Sequence, residues 1–474
     1  MALDLEEVQG NILHAYGAAC RNARYQFLRV EDGKAAEATV AIGELLDEVG
    51  FGSDRDPGES GVHLNLAFTW SGLKALGVSD DVLATFPEDF REGASARSRE
   101  HVGDRGVNAP DAWEDGFGAA HVLLMVHSGR EDRCERFADA CVKRAAGALT
   151  PVGAAQAAGL LGEASGDETC GAEVHREHFG FADGCSQPSI DGVNDNRESD
   201  GVYARVPRRG MFANLLEDVG LLRPKREWRL IPPGEFILGC EDEDGHVPDG
   251  PAPPLGPNGT FMVYRKLEQH VRTFNEHVAD VAAQWRVDAD ALRAKIVGRT
   301  TAGEPLERPD ADTATNAVAA NAFTYEDDRW GERCPMGAHI RRTHPRDALP
   351  GGAEVTTRHR MIRRGMPYGR AWTEESDGDE RGLIFVAYVA SIAQGFEFVQ
   401  RAWCYEGHAF GLGDSPDYLL QQSDDRPNGS MVIPGMGVLG PPPGPLVTVR
   451  GSEYLFVPSQ AGCAWIAGLH RASA

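Results

Sequence analysis

Stretches of alternating and helical hydrophobic spacing follow one another along this chain in an order that is used twice. Tyr25 to Val30 (YQFLRV) has the length and β-rich composition of a strand. From Ala35 to Val49 apolar side chains recur at helical spacing. His63 to Thr69 (HLNLAFT) alternates as a half-buried strand does, and a helix is expected at about Ser71 to Leu76. The run Val122 to Val126 (VLLMV) predicts a buried strand, and Glu131 to Ala148 predicts an amphipathic helix. An insertion rich in Gly, Asp and Arg lies between Pro87 and Gly118. The order then returns. Thr260 to Tyr264 (TFMVY) predicts a strand that leads into a helix, KLEQHVRTFNEHVADVAAQW. Leu383 to Ile392 (LIFVAYVASI) predicts another strand, followed by a helix in QGFEFVQRAWCYEG. This is an α+β pattern of two split β-α-β halves, duplicated in pattern and not in wording. The halves are expected at residues 1–215 and 216–474. Cys240 to Gly259 (CEDEDGHVPDGPAPPLGPNG) is acidic and proline-rich and predicts a loop; it lacks the spacing of an EF-hand.

Composition narrows the class. The chain has 474 residues, 42% of them apolar, which is enough to bury a sizeable core. The formal charge of −25 disfavours nucleic acid and anionic lipid as partners. An anionic ligand would need a local basic pocket. The nine cysteines form no CxxC pair, so neither a disulfide framework nor a zinc ribbon is expected. The segment MALDLEEVQGNILHAYG carries neither a twin arginine nor an apolar signal core. No apolar run reaches the roughly 18 residues of a membrane span. A cytoplasmic enzyme, monomeric or homo-oligomeric, is the expectation.

Three segments carry candidate chemistry: GFADG around Asp183, CPMGAHIRRTHPRD around His339 and His344, and HRMIRRGMPYG around Arg363 and Arg364. Each has an ordinary reading. Asp183 between small residues suits a turn. A single histidine is usually structural. Adjacent arginines in an acidic protein usually make surface ion pairs.

Their joint order changes that. EHFGFADGCSQPSIDGV, CPMGAHIRRTHPRD, RRGMPYG, RGLIFVAYVASIAQGFEFVQRAW and EYLFVPSQ follow one another in this chain, with VQGNIL near its start and GEFILGC before NGTFMVYRKLEQHVRTF. In that order they resemble the dye-decolourising peroxidases, the longer, insertion-bearing bacterial type. The resemblance implies two ferredoxin-like halves with antiparallel sheets and flanking helices, a dimeric α+β barrel-like fold. It also implies haem b in the C-terminal half and hydrogen peroxide as substrate. Peroxide would be split to a ferryl-oxo haem that oxidises dyes, phenolics or another organic electron donor.

The resemblance further implies roles for residues. His339 would be the proximal iron ligand, ahead of His344, with Asp417 (or Asp414) accepting its other ring N–H. Asp183 and Arg363 would be the distal pair that moves a proton between the peroxide oxygens. Gly180 and Gly184 would let the backbone approach the haem. Leu383 and Phe385 would wall the distal pocket, and Arg341 would bind a haem propionate. Gly365 stands where some relatives carry Asn or Ser, so one distal polar group would be missing. Cys185 could be oxidised or simply pack. Trp330, Tyr388, Trp403 and Tyr405 are candidate electron relays. The rival functions are a haem-binding or haem-delivery protein with weak peroxidase activity, and a haem-dependent oxidative tailoring enzyme.

Overall fold

The structure, a computed structural model, describes residues 3–16, 20–53, 61–158, 160–161, 175–194, 201–205, 225–308, 321–413, 415–422 and 429–470. Its centre is one antiparallel sheet. The strands in chain order are β1 (Asn22–Val30), β2 (Val62–Phe68), β3 (Val122–Ser128), β4 (Leu149–Ala158), β5 (Thr260–Gln269), β6 (Ile362–Arg363), β7 (Met366–Tyr368), β8 (Gly382–Val389) and β9 (Val447–Val457). They lie in the order β6-β8-β5-β9-β2-β3-β1-β4, with β7 also paired to β8. The strands before residue 160 and those after residue 259 therefore repeat one arrangement, in which the fourth strand of a set lies beside the first. β7 packs against β4, which curves the row toward a barrel. The expected boundary at 215/216 falls outside the described residues.

Alternation sorts side chains to the two sides of this sheet. Leu64, Leu66, Phe68, Phe261 and Val263 face the flanking helices, α1 (Ala35–Leu45), α2 (Glu88–Arg97) and α3 (Glu131–Arg144) among them. Tyr25, Phe27, Met125, Met262, Tyr264, Ile384 and Tyr388 fill the barrel interior. Both faces of β2 are thus covered, and all seven of its residues are buried, where the sequence suggested one wet face. A third cluster holds α4 (Val271–Trp285) and α5 (Ala289–Val297) against residues 431–447. Each fully buried Leu or Phe contributes roughly 2 kcal/mol.

The two sets of strands meet along a narrow seam, the single pair Phe456–Phe68 between β9 and β2. Gln9, from VQGNIL, spans it: its amide donates to the carbonyls of Leu66 (2.9 Å) and Pro458 (3.0 Å). The insertion is not a plain loop. It begins as α2, and Arg97 reaches across to Glu397 with two hydrogen bonds of 2.7 Å. Two predicted helices also differ. β5 continues to Gln269 because Leu267 and Glu268 pair with strands on both sides, so α4 begins only at Val271. After Val389 the chain turns into wide helical turns over Ala393–Glu397 and Val399–Tyr405 in place of a regular α-helix.

Glu453 on β9 is buried, and its carboxyl accepts the amide N–H of Gly118. Burial pushes its pKa up to about 8 from 4.5. The folded state therefore holds this proton more tightly than the unfolded chain. Its contribution to stability is fully present below pH ~4.5, falls as pH rises, and is lost above the folded value. Glu453→Gln, which keeps an acceptor for Gly118, is expected to flatten the fall in Tm between pH 6 and 9. Parallel melting profiles for the two proteins would show that Glu453 does not cause it.

Candidate active site

Three walls enclose a cavity of about 550 Å³. The first is the short helix α6 (His339–Thr343), which opens at His339 after Pro335 and Ala338. His339 lines the cavity, and its Nδ1 lies 2.8 Å from Asp417 Oδ2. Asp417 is fully buried, and its Oδ1 accepts the amides of Leu419 (2.9 Å) and Leu420 (3.3 Å). Burial opposes protonation of His339, but the Asp417 carboxylate outweighs it, so the imidazole pKa is raised. Burial also opposes ionisation of Asp417; His339 and Arg342 override it, and its pKa is lowered. With Nδ1 so engaged, Nε2 is the nitrogen left for a metal. The other acceptor considered, Asp414, lies outside the described residues.

His344 lines the same cavity, but its Nε2 accepts from Arg360 at 3.1 Å. Burial, with Arg360, Arg346, Arg363 and Arg299 around it, holds its pKa far below the usual imidazole range. It is a neutral ring already engaged by a cation.

The second wall is the GFADG turn with the strand β6 behind it. Gly180 and Gly184 have φ of +95° and +73°, the left-handed region that favours glycine. Added Cβ atoms would meet no protein atom within 4 Å, so backbone conformation explains both glycines. Asp183 lines the cavity, and its Oδ1 accepts the Gly184 amide at 2.7 Å. Arg363 is tied to the same turn: its guanidinium donates to the Ser186 carbonyl, and its backbone amide to Gln187 Oε1 at 3.0 Å. The SQP that follows GFADG is thus what fastens Arg363 beside Asp183. Arg364 also borders the cavity, but its guanidinium donates to the carbonyls of Asn11 (2.9 Å), Ile12 (3.0 Å) and Arg363 (3.0 Å).

The third wall is β8, which presents Leu383 and Phe385. Gly365 faces this strand. A Cβ there would sit 2.6 Å from the Ile384 carbonyl oxygen, so the backbone leaves no room for Asn or Ser. Cys185 also borders the cavity; burial raises its thiol pKa, which keeps it protonated and suits packing over reaction.

One expectation fails. Arg341 does not border the cavity among the described residues. It is buried, donates to Asp328 Oδ2 (3.0 Å) and to the carbonyls of Cys334 and Asp328 (both 2.7 Å), and lies over the Tyr325 ring. Residues two apart on a helix point to opposite sides, so with His339 turned inward Arg341 turns away. Arg299 and Arg346, which the sequence reading did not single out, do border the cavity. Arg346 lies in the same CPMGAHIRRTHPRD segment, just past the end of α6. Glu177 was missed too. It lines the cavity, accepts the amides of Phe179 and Phe181 (both 2.9 Å), and burial raises its pKa.

Of the relay candidates, Tyr388 and Tyr405 border the cavity and are buried, Trp403 is buried behind it, and Trp330 is 81% exposed. The donor set suits an iron porphyrin: one half-buried imidazole facing the cavity with its second nitrogen fixed by a carboxylate, apolar walls, and guanidinium groups for acidic substituents. No helix among the described residues is long and apolar enough to cross a membrane. All eight described cysteines are free thiols.

Comparison with known proteins agrees with this chemistry. Residues 52–158 match the DyP dimeric alpha+beta barrel domain, and residues 246–409 match the Dyp-type peroxidase C-terminal family. The chain is 29% identical to dye-decolorizing peroxidase msp1 of Mycetinis scorodonius over 432 residues, 84% of this chain and 74% of that protein. It is 31% identical to the multifunctional dye peroxidase DyP2 of an Amycolatopsis species over 320 residues, 60% of each. Among solved structures, a dye-decolorizing peroxidase in complex with 2,6-dimethoxyphenol superposes with a TM-score of 0.75 at 26% identity, covering 98% of this chain and all of that one. A fungal DyP-type peroxidase from Auricularia auricula-judae gives 0.76 at 25% identity, with the same coverage. The chain belongs to the DyP-type peroxidase family, enzymes that carry haem b and act on hydrogen peroxide.

Proposed function

We propose that this cavity reduces hydrogen peroxide between His339 on one side and the Asp183–Arg363 pair on the other, and oxidises dyes, phenolics or related organic donors. The observation that carries the reading is the convergence of the Asp417-fixed His339, Asp183 and Arg363 on one cavity. When bound, haem supplies the metal that takes electrons from the donor and passes them to peroxide.

The protein's part is positional and electrostatic. Asp417 orients His339 and makes its ring electron-rich. Asp183 takes a proton from one peroxide oxygen and returns it to the departing one. Arg363 keeps its charge at every working pH and stabilises the negative charge that grows on that oxygen. The Ser186 and Gln187 contacts hold Arg363 in place for this. Leu383 and Phe385 exclude water and bulky donors.

The free cysteines suit a reducing compartment, and the cytoplasm is the location proposed. The repeated strand order supports the division into halves at 1–215 and 216–474, with the cavity built mainly by the second. A haem-delivery protein would need His339 but neither Asp183 nor the contacts that fix Arg363. A tailoring enzyme would use the same cavity on one small substrate.

The test is to load the protein with haem, record its Soret band, and add one equivalent of peroxide with 2,6-dimethoxyphenol or an anthraquinone dye. A rapid spectral change with donor oxidation is expected. A protein that takes up no haem, or binds it and ignores peroxide, contradicts the reading.

A further inference from the structure

Glu177 borders the cavity six residues before Asp183, and the proton transfer described above makes no use of it. Its carboxylate holds three N–H donors. Oε1 accepts the Phe181 amide (2.9 Å), and Oε2 accepts the Phe179 amide (2.9 Å) and Nε2 of Gln269 (2.6 Å). The backbone closes the same ring. The Glu177 amide donates to the Phe181 carbonyl (3.0 Å), and the Gly180 amide donates to the Glu177 carbonyl (2.9 Å). Residues 177–181 are thus wound around one carboxylate, with Gly180 at the left-handed corner. A side-chain acceptor placed inside a turn in this way selects one backbone path out of several.

Two outside anchors fix where this turn sits. Gln269 is the last residue of β5 and is buried, and its own backbone amide donates to the Arg381 carbonyl at 2.9 Å. Its side chain therefore carries the position of the sheet to Glu177. On the other side, Arg176 donates to the carbonyls of Gly180 (2.7 Å) and Thr301 (2.6 Å), and the Ala182 amide donates to the Thr301 carbonyl at 3.0 Å. Phe179 packs on Phe274 of α4, with ring centroids 4.5 Å apart. Asp183 follows directly on this clamped stretch. Burial raises the Glu177 pKa, yet both of its oxygens face N–H donors, so a proton on either would displace one of them. The group is built to hold the turn and not to exchange protons.

We propose that Glu177 is a positioning residue for the peroxide reaction: through the 177–181 turn it sets where Asp183 stands relative to Arg363, and Gln269 carries that position over from β5. The inference rests on the reading of Asp183 as the group that moves the peroxide proton. Arg363 is fastened to the residues just after Asp183, through Ser186 and Gln187, so one segment carries both members of the pair and Glu177 fixes its leading end. A misplacement of about 1 Å in such a pair can cost on the order of 100-fold in rate. Glutamine cannot stand in for Glu177. Its amide has one oxygen where the turn uses two, and whichever way it is turned its NH2 meets an N–H donor.

The test is a double-mutant cycle on the haem-loaded protein, read as the second-order rate of its reaction with peroxide. Glu177→Gln is expected to lower that rate by about tenfold or more while the Soret band stays the parent's. In an Asp183→Asn background the same substitution is expected to change the rate by less than about twofold, because no proton carrier is left to position. Gln269→Met leaves both turn amides on Glu177, and should give a smaller loss in the parent and none in that background. Parent-like rates in Glu177→Gln and Gln269→Met overturn the role. Equal losses in both backgrounds overturn it too, since they mark a general effect on the fold or on haem binding. Should Glu177→Gln fail to fold or to hold haem, Gln269→Met decides between the same outcomes. A parent-like rate in Asp183→Asn itself would overturn the reading of Asp183, and this inference with it.

Discussion

Arg363→Leu and Asp183→Asn are each expected to slow the reaction of the haem-loaded protein with peroxide by about 100-fold or more, roughly 2.7 kcal/mol of lost transition-state stabilisation. Stopped-flow absorbance in the Soret region measures it. The two variants fail for different reasons. Arg363→Leu removes a charge that nothing else in the turn replaces, although its backbone amide still binds Gln187. Asp183→Asn keeps the shape and an oxygen for the Gly184 amide, but an amide cannot take up and return a proton. The aspartate variant should therefore keep its haem and its resting spectrum while losing the rate. Parent-like rates in both variants would remove these residues from the proton transfer.

His339→Ala is expected to abolish stable haem ligation, and added imidazole should restore part of the Soret signature. Asp417→Asn tests the support behind the ligand. It leaves an acceptor for Nδ1 but removes the charge that raises the His339 pKa. Such supporting carboxylates typically matter 10–100-fold in metal affinity or activity, so a loss of about that size is expected, with a reduction potential shifted upward. Redox titration and haem competition read the two effects. His344→Ala should retain the iron spectrum, because that ring is engaged by Arg360 and surrounded by arginines. Haem lost from His344→Ala and kept in His339→Ala would reverse the ligand assignment.

The parts of this site that were legible in the sequence are those where short words carry local geometry. GFADG needs glycine at both left-handed positions, and SQP and RRG meet because one anchors the other. The strand VLLMV stands out because it is buried on both faces, and LIFVAYV because all of it but the cavity-facing Leu383 and Phe385 is buried. What was not legible depends on how elements turn. Arg341 looked suitable by distance along the chain, but a helix two residues on points away from the cavity. Arg299 and Glu177 reach it from loops whose paths no hydrophobic period encodes. The wide turns at 399–405 have the spacing of an ordinary helix, and tertiary packing decides between them. Gly365 read as a missing polar group, whereas a neighbouring carbonyl excludes any side chain.

The central position of β9 bears on how the protein is made. Of the strands in the main sheet it is the last to be synthesised, yet it lies between β2 and β5. Until a ribosome has released it, the nascent chain holds two unpaired strand edges, one on each set of strands. Chaperone binding to those edges, and protease sensitivity of chains stalled before residue 447, are the cellular signs to look for.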